Sequence, residues 1–527
     1  IGKGSSLRLG GVPVLYLPAT VLPVKTSRQS GFLMPNYSQH RASGAVVELP
    51  FYWAINRYMD LTLYPLFANR QGYLQGAEYR YAASRSSGGL FRFAYLRDQK
   101  DFAPTPHRYW GVAMINQELP WGFMARGNLD LPSDSQYLYD FNYGYLGLDR
   151  LSRALADEYG RNLEQFEVKT RVSSLVAARE FSWGTVSFFG RYYKPLTPAV
   201  GQPFNKAPAF QVRSLPWSLG PLPLNFLVEQ AYTHYYRDVG LRGQRLDLRP
   251  RLTTALNLGG WLRLEAAGGW RGTGYRVDSR NGGEDLGRYV GRSLYEVKTS
   301  VSTVFYRDWG TQEGESQILR HLLEPRLTYY NYASFNPRRI PHFDPFDYGW
   351  QTQVTRNYPI LDGIDPIGGV NALTYSLTSH LLRRTVAGNG LKQIDDLLWL
   401  RLSQSVFFNS LSYGLDGTAI PHRRLSDVFL ESRFYPASYL ALGADVGLSP
   451  YREGFSRLDL SLMLHDRGFK NVLNVDYSYL KNYANQINAE IYFDLFRSLK
   501  FGISNQHTFV SGKRLENKYG LIFQRQC

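Results

Sequence analysis

GFLMPNYSQHRASGAVVELPFYW, residues 31–53, is the stretch on which the reading of this chain turns. Two arms of aromatic and β-branched residues flank a polar SQHRASG turn, the pattern of a β-hairpin. Each arm also holds a proline, Pro35 and Pro50. A proline has no N–H to give to a strand ladder, so within sheets it is confined to edges, strand starts and bulges. Two of them in one hairpin mark either a sheet weakened along that line or a pair of bulges at its rim, and composition alone does not choose.

Outward from the hairpin the same pattern continues. Segments of about 8–14 residues alternate polar and apolar side chains between clusters of Gly, Asn, Asp, Ser or Pro. In LFRFAYLR (90–97) Phe91, Phe93 and Tyr95 share one face. In GFMARGNLDL (122–131) Phe123, Ala125, Leu129 and Leu131 oppose Met124, Arg126, Asn128 and Asp130. Within 471–481, Leu473, Val475, Tyr477 and Tyr479 oppose Asn474, Asp476 and Ser478. A soluble sandwich alternates too. Three features favour a membrane barrel: runs long enough to cross hydrocarbon at a tilt, aromatics near strand ends, and short turns alternating with long loops. Tyr79 with Tyr81, Phe188 with Tyr192, and Tyr329 with Tyr330 are the candidate girdle pairs. The expected fold is all-β, a large antiparallel transmembrane β-barrel with about 24 or 25 candidate strands.

Composition points the same way. Tyr (39) and Phe (30) raise the aromatic share to 15%, with 49 Gly and only 5 Met, which leaves little material for amphipathic helices. No uninterrupted apolar run reaches the roughly 18 residues a spanning helix needs. The most apolar stretch, residues 10–24, carries three prolines and no signal-peptide pattern. The opening at Ile1, without Met or a basic n-region, reads as an internal piece of a longer, processed protein. Residues 1–28 read as the end of a preceding β domain and a linker, and 29–527 as one barrel domain. Residues 132–161, 274–292 and 333–368 depart from alternation; 144–158 reads as a short helix, and 333–368 as an ordered loop folding over or into the barrel. Pro208, Pro250 and Pro325 are expected to open strands.

The net charge of +16 calls for a polyanionic partner or a solvated interior. Lys and Arg are dispersed, with no basic helix and no RNP-like or zinc pattern, so a nucleic-acid partner is not expected, whereas an anionic membrane glycolipid would satisfy the charge. Nine scattered His and one Cys do not build a metal site, and no phosphate-binding glycine loop is present, so no cofactor is expected. Ser504, His507 and Asp494 are residues of the kind lipid hydrolases use, but any large barrel offers such sets, and no enzymatic activity is expected. Cys527 is a single thiol, either unpaired or bonded to a partner outside this sequence.

Several blocks, LYLP ending at Pro18, SGFLMP (30–35), ELPFYW (48–53), GAEYRY (76–81), SDSQYLYDF (133–141) and LLEPRLTYYNY (322–332), together with the terminal Cys527, resemble the LptD family of outer-membrane lipopolysaccharide-assembly proteins of Gram-negative bacteria. They fall in order along nearly the whole chain, and GFLMP followed fifteen residues later by LPFYW is the most specific of them. The resemblance implies a barrel of about 26 strands preceded by a periplasmic β-jelly-roll, with residues 1–28 as the end of that jelly-roll. It implies the lipoprotein LptE inside the lumen, an LptA-type periplasmic bridge to the jelly-roll, and Pro35 and Pro50 as gate prolines at a lateral opening between the first and last strands. Cys527 matches the first of a C-terminal cysteine pair that forms disulfides near the mature N-terminus. The second cysteine and about two closing strands are absent from this sequence, so the barrel is expected to lack its last strands. The expected function is a lipopolysaccharide translocon, with Glu78, Arg126 and Asp130 as candidate luminal polar residues. The alternative is a passive large-pore porin or plugged outer-membrane transporter, which needs a constriction loop or a plug.

Overall fold

The computed structural model describes residues 2–9, 12–20, 28–40, 43–100, 104–165, 168, 170–197, 203–280, 287–310, 317–333, 340, 341, 343, 370–386, 392–408, 412–413, 419–420, 423–466, 468–481, 484–496, 499–510 and 514–523. In chain order the strands begin with β1 (Gly2–Leu9), β2 (Val12–Thr20), β3 (Gly31–Phe32), β4 (Asn36–His40), β5 (Gly44–Glu48), β6 (Phe51–Ala54), β7 (Met59–Ala68), β8 (Gly72–Ala82), β9 (Gly88–Arg97), β10 (His107–Leu119) and β11 (Phe123–Pro132). Helices α1 (Tyr137–Asp140) and α2 (Leu148–Tyr159) follow. Next come β12 (Thr170–Phe181), β13 (Gly184–Pro195), β14 (Asn205–Ser214), β15 (Trp217–Ser218), β16 (Asn225–Tyr236), β17 (Gly240–Leu258), β18 (Leu262–Arg280), β19 (Tyr289–Thr303), β20 (Phe305–Trp309) and β21 (Gln317–Tyr332). The remainder are β22 (Val370–Val386), β23 (Lys392–Phe407), β24 (Ser412–Tyr413), β25 (Ala419–Ile420), β26 (Val428–Ala437), β27 (Leu440–Leu448), β28 (Phe455–His465), β29 (Val472–Leu480), β30 (Ala484–Phe496), β31 (Leu499–Thr508) and β32 (Arg514–Phe523). Two compact units divide the chain, one of residues 1–181, 185–211 and 233–239, the other of 182–184, 212–232 and 240–527.

In the first unit β1 and β2 form an antiparallel pair of their own. From β3 onward the sheet is an antiparallel meander: β4 pairs with β5, β3 with β6, both β5 and β6 with β7, and β7 through β12 each with the next. Successive residues face opposite sides of a strand, and burial follows that period. Phe93 is 53% exposed and its neighbour Ala94 1%. The buried face is apolar here as well, carrying Val46, Leu66, Leu74, Leu90, Leu96, Val112 and Met114.

What covers that face is the stretch between β11 and β12. Helix α2 turns Leu148, Leu151 and Leu155 to one side, at i, i+3 and i+7, and all three join the strand residues in one core with Tyr137, Leu138 and Phe141. Gly160 ends the helix in the left-handed conformation (φ 64°), its N–H on the Ala156 carbonyl at 2.9 Å. Phe67, Tyr73, Phe91, Phe93 and Tyr95 remain exposed on the other face. A soluble sandwich would bury such a row, and in water so large an apolar patch would drive association. Lipid is the medium that leaves it uncompensated at no cost.

In the second unit β17 through β19, β21 through β23, and β26 through β32 continue the antiparallel meander. Its two faces separate cleanly by register. One face carries the row Glu431, Asp445, Asp459, Ser478 and Gln486; one residue along, the other carries Leu430, Val446, Leu458 and Tyr479.

Three expectations change. Tyr329 and Tyr330 cannot form one girdle pair, because neighbouring strand residues face opposite ways; Tyr330 stacks at 6.3 Å on buried Tyr332. Pro208, Pro250 and Pro325 lie inside β14, β17 and β21 rather than at their starts. For two of them the missing N–H falls at a ladder gap: Pro250 between the pairs Leu248↔Gly272 and Arg251↔Gly269, and Pro325 between Ser302↔Arg326 and Phe305↔Leu323, where β19 gives way to β20. The expected helix at 144–158 begins at Leu148, since Gly144 and Gly147 precede the periodic leucines.

Candidate gate hairpin and its interior anchor

The opening hairpin is broken at both prolines. Phe32 pairs with Phe51 and Asn36 with Glu48, so the first arm advances four residues (32 to 36) while the second advances three (51 to 48). The extra residue makes a bulge in the first arm, at Leu33–Pro35. Seen from β7 the second arm keeps its register, with Glu48↔Leu66 and Phe51↔Leu63, and Leu49 N–H donating to the Pro65 carbonyl at 3.2 Å. At the break Leu33 N–H reaches the Pro50 carbonyl at 2.8 Å, and Pro50 has no N–H with which to return the bond. The weakness therefore lies between the arms, and chiefly in the first.

The interior stretch reaches this break. Tyr145 N–H donates to Glu48 Oε2 at 3.0 Å and the Tyr145 hydroxyl to the Met34 carbonyl at 3.2 Å. The Tyr145 carbonyl accepts from Arg92 Nη1 at 3.1 Å, which ties the same residue to β9. Arg150 lies over the Tyr145 ring, 4.0 Å from its centroid. Asn36 Nδ2 also donates to Glu48 Oε2 at 3.4 Å, while Glu48 Oε1 is buried without a partner. Gly144, with φ 63°, is required by the contact: a Cβ there would sit 2.5 Å from Glu48 Oε2. The His40 ring stacks on Tyr143 at 3.9 Å, and burial pushes the Tyr143 hydroxyl up to about 12.

The far end of the stretch is fixed by charge. Arg108, 1% exposed, donates from Nη1 to Asp98 at 2.9 Å and to Asp140 at 2.8 Å, and holds Asp134 in a two-pronged pair at 3.1 and 3.0 Å. Asp134 Oδ1 in turn accepts the N–H groups of Gln136 and Tyr137, opening α1.

Pro35 is exposed and Pro50 buried. Glu78 is buried and ion-paired to Arg92, the guanidinium that holds Tyr145. Asp130 is buried against Arg171, at 2.9 Å from its Nε, and accepts from the Trp110 indole at the same distance. Arg126 is exposed on the face of Asn128 and Asp130; burial first, and nearby Arg126 second, hold the Arg161 guanidinium below its usual range. Cys527 lies outside the described residues, as does most of 333–368; of that loop Phe343 is fully buried beside Tyr275. Ser504 and His507 face opposite sides of β31, an odd number of residues apart, so they cannot act as a pair. Among the described residues no group of three or more His, Cys, Asp or Glu is placed to hold a metal, and no helix is long and apolar enough to cross a membrane.

Glu48, Arg92 and Tyr145 were not legible as a unit. Glu48 carried a partial signal, a carboxylate two residues before Pro50 on the face its strand buries; nothing local to Tyr145 pointed to the hairpin.

A long antiparallel meander with an exposed aromatic face and an ion-paired opposite face defines a protein of the outer-membrane β-barrel class. The family described as LptD, LPS transport system D, matches residues 107–510, and LptD protein matches residues 2–111. The chain belongs to the LptD family. It is 28% identical, over 92% of its length and 56% of the relative's, to the LPS-assembly protein LptD of Ralstonia nicotianae. It is 25% identical to the same-named protein of Cupriavidus necator, over 91% and 56% of the two chains, and 25% identical to that of Methylococcus capsulatus, over 92% and 46%. The chain thus spans about half the length of these curated relatives.

Proposed function

We propose that this chain is the membrane part of a lipopolysaccharide translocon of the outer membrane, with the hairpin 31–53 as its lateral gate. The observation that carries the reading is the break at Pro35 and Pro50, placed in a sheet whose exposed face is apolar. Lipopolysaccharide is a phosphorylated sugar on several acyl chains, and each CH₂ brought into water costs about 0.8 kcal/mol, so a chain of a dozen carbons would lose about 10 kcal/mol in a hydrated passage. The tails must stay in lipid while the sugar moves along a polar surface, which requires a seam in the wall. The ion-paired rows of the second unit, with Arg433 on Asp445 at 2.7 Å, suit a sugar surface. Residues 1–28 would be the end of a jelly-roll receiving an LptA-type bridge and 29–527 the barrel, with LptE inside it and Cys527 in a disulfide to the N-terminal region. Arg126 is the one cation among the luminal candidates and so the one able to meet phosphate, while Glu78 and Asp130 are carboxylates that pair with Arg92 and Arg171. The passive-pore reading loses ground because 133–165 fills one face of the first unit.

Photo-crosslinking from Met34, whose side chain is 78% exposed, tests the reading against Trp270 on the apolar face of β18. Lipopolysaccharide is expected on Met34 in preference to Trp270. Equal capture at both, together with normal surface delivery in a Pro35→Ala/Pro50→Ala protein at equal abundance, would remove the gate from the hairpin.

A further inference from the structure

We propose that the stretch Asp140–Asp149 is a latch on the turn-side half of the gate hairpin, and that lipid passage requires its release. The inference rests on the reading of the hairpin as a gate and adds what controls it.

Beyond the break the second arm stays paired with β7, so the first arm, Asn36–His40, depends on its ladder to Gly44–Glu48 and on the bond from Leu33 to Pro50. The interior stretch supplies attachments in the same place. Tyr145 bonds to Met34 on the loosened first arm, to Glu48 on the second arm that pairs with β7, and to Arg92 on the wall, so a single residue ties the first arm to the fixed strands. Ser43, at the turn, donates to the Asp140 carbonyl at 3.4 Å, and His40 lies face to face with Tyr143. Met34 at the break, and His40, Ser43 and Glu48 beyond it, are therefore gripped by one segment.

The grip is built to be reversible. Glu48 is fully buried, and one of its carboxylate oxygens finds no hydrogen-bond donor. Burying a carboxylate strips it of water, so the closed arrangement carries a desolvation penalty that opening relieves. On the first arm apolar burial adds little to these bonds, since Phe32, Met34 and Tyr37 all point to the exposed face, whereas Val46 of the second arm lies in the core. Arg92 stays paired with Glu78 when Tyr145 leaves, which keeps the wall intact during opening.

The test uses the full-length protein assembled with its partners in outer-membrane vesicles, and reads two things separately. The first is amide hydrogen exchange over residues 36–48. Tyr145→Phe, which deletes only the bond to Met34, and Glu48→Ala are each expected to raise exchange there by about five- to ten-fold, while Tyr37→Phe, an outward-facing change in the same hairpin, leaves it unaltered. The Tyr145→Phe change is too small to prevent folding, and unchanged heat-modified gel mobility verifies that. The second readout is lipopolysaccharide transfer in a His40→Cys/Tyr143→Cys protein. Oxidation is expected to stop transfer and reductant to restore it. Exchange over 36–48 that does not respond to Tyr145→Phe or Glu48→Ala overturns the latch whatever the gate does. Raised exchange with transfer indifferent to oxidation overturns the gate reading, and the controlling role of the latch with it.

Discussion

Removing Arg108 should free one end of the interior stretch while leaving the sheet folded. Its guanidinium makes four charge-assisted bonds to three carboxylates, and Arg108 and Asp98 are fully enclosed. It also lies over the Tyr137 and Phe141 rings, at 5.7 and 5.4 Å. Taking one partner from a buried ionic cluster costs about 3–5 kcal/mol, because the remaining charges stay behind uncompensated. In Arg108→Met those charges are Asp98, Asp134 and Asp140, and two of them belong to the stretch that covers the core. The cheapest relief is for Asp134–Phe141 to detach, carrying the two carboxylates into water. At about 1.4 kcal/mol per decade, the detached population should rise by roughly two to three and a half orders of magnitude. Hydrogen exchange of the 136–141 amides reads that population directly, and limited proteolysis in the same segment corroborates it. Arg108→Lys should fall between, keeping the charge but losing the two-pronged hold on Asp134. If exchange over 136–141 in a folded Arg108→Met protein equals that of the parent, the cluster does not hold the segment and the anchoring described above is wrong.

Leu155→Ala, at the fully buried centre of the α2 interface, should cost about 2–5 kcal/mol, seen as a lower unfolding temperature of the first unit's tryptophan signal. Gly144→Ala should cost about 1–2 kcal/mol from its left-handed backbone alone, with further loss from the clash at Glu48, measured by the same melt. Acid should loosen the loops around Glu453: hydrogen bonds from Arg423 at 2.6 Å and Lys481 at 3.1 Å hold its carboxyl below the usual range. A depressed carboxylate contributes above its unfolded value of about 4.3 and loses that contribution as pH falls through the lower folded value. Pepsin should therefore cut near 423–427 increasingly below about pH 4, and Glu453→Gln should abolish the pH dependence.

The alternation that announced a sheet is a property of the backbone, because consecutive side chains on a strand point opposite ways whatever surrounds them. Faces read from Phe91, Phe93 and Tyr95, or from Asn474, Asp476 and Ser478, were legible for that reason, and so was the anomaly of Pro35 and Pro50. The same period also separates Tyr329 from Tyr330 and Ser504 from His507. Alternation does not say what lies against a face. Leu66, Leu74, Leu90 and Leu96 are apolar because residues 133–165 fold back over them, and no local pattern in those strands encodes a cover supplied from elsewhere in the chain.

The same division runs through the hairpin. Its sequence determined that two ladder donors are missing. Only the tertiary structure decided that the first arm bulges while the second keeps register with β7, and that Tyr145 meets Glu48 across 97 residues to make good part of the loss. A missing N–H is written in one residue's chemistry, whereas the group that compensates for it is chosen by the path of the whole chain.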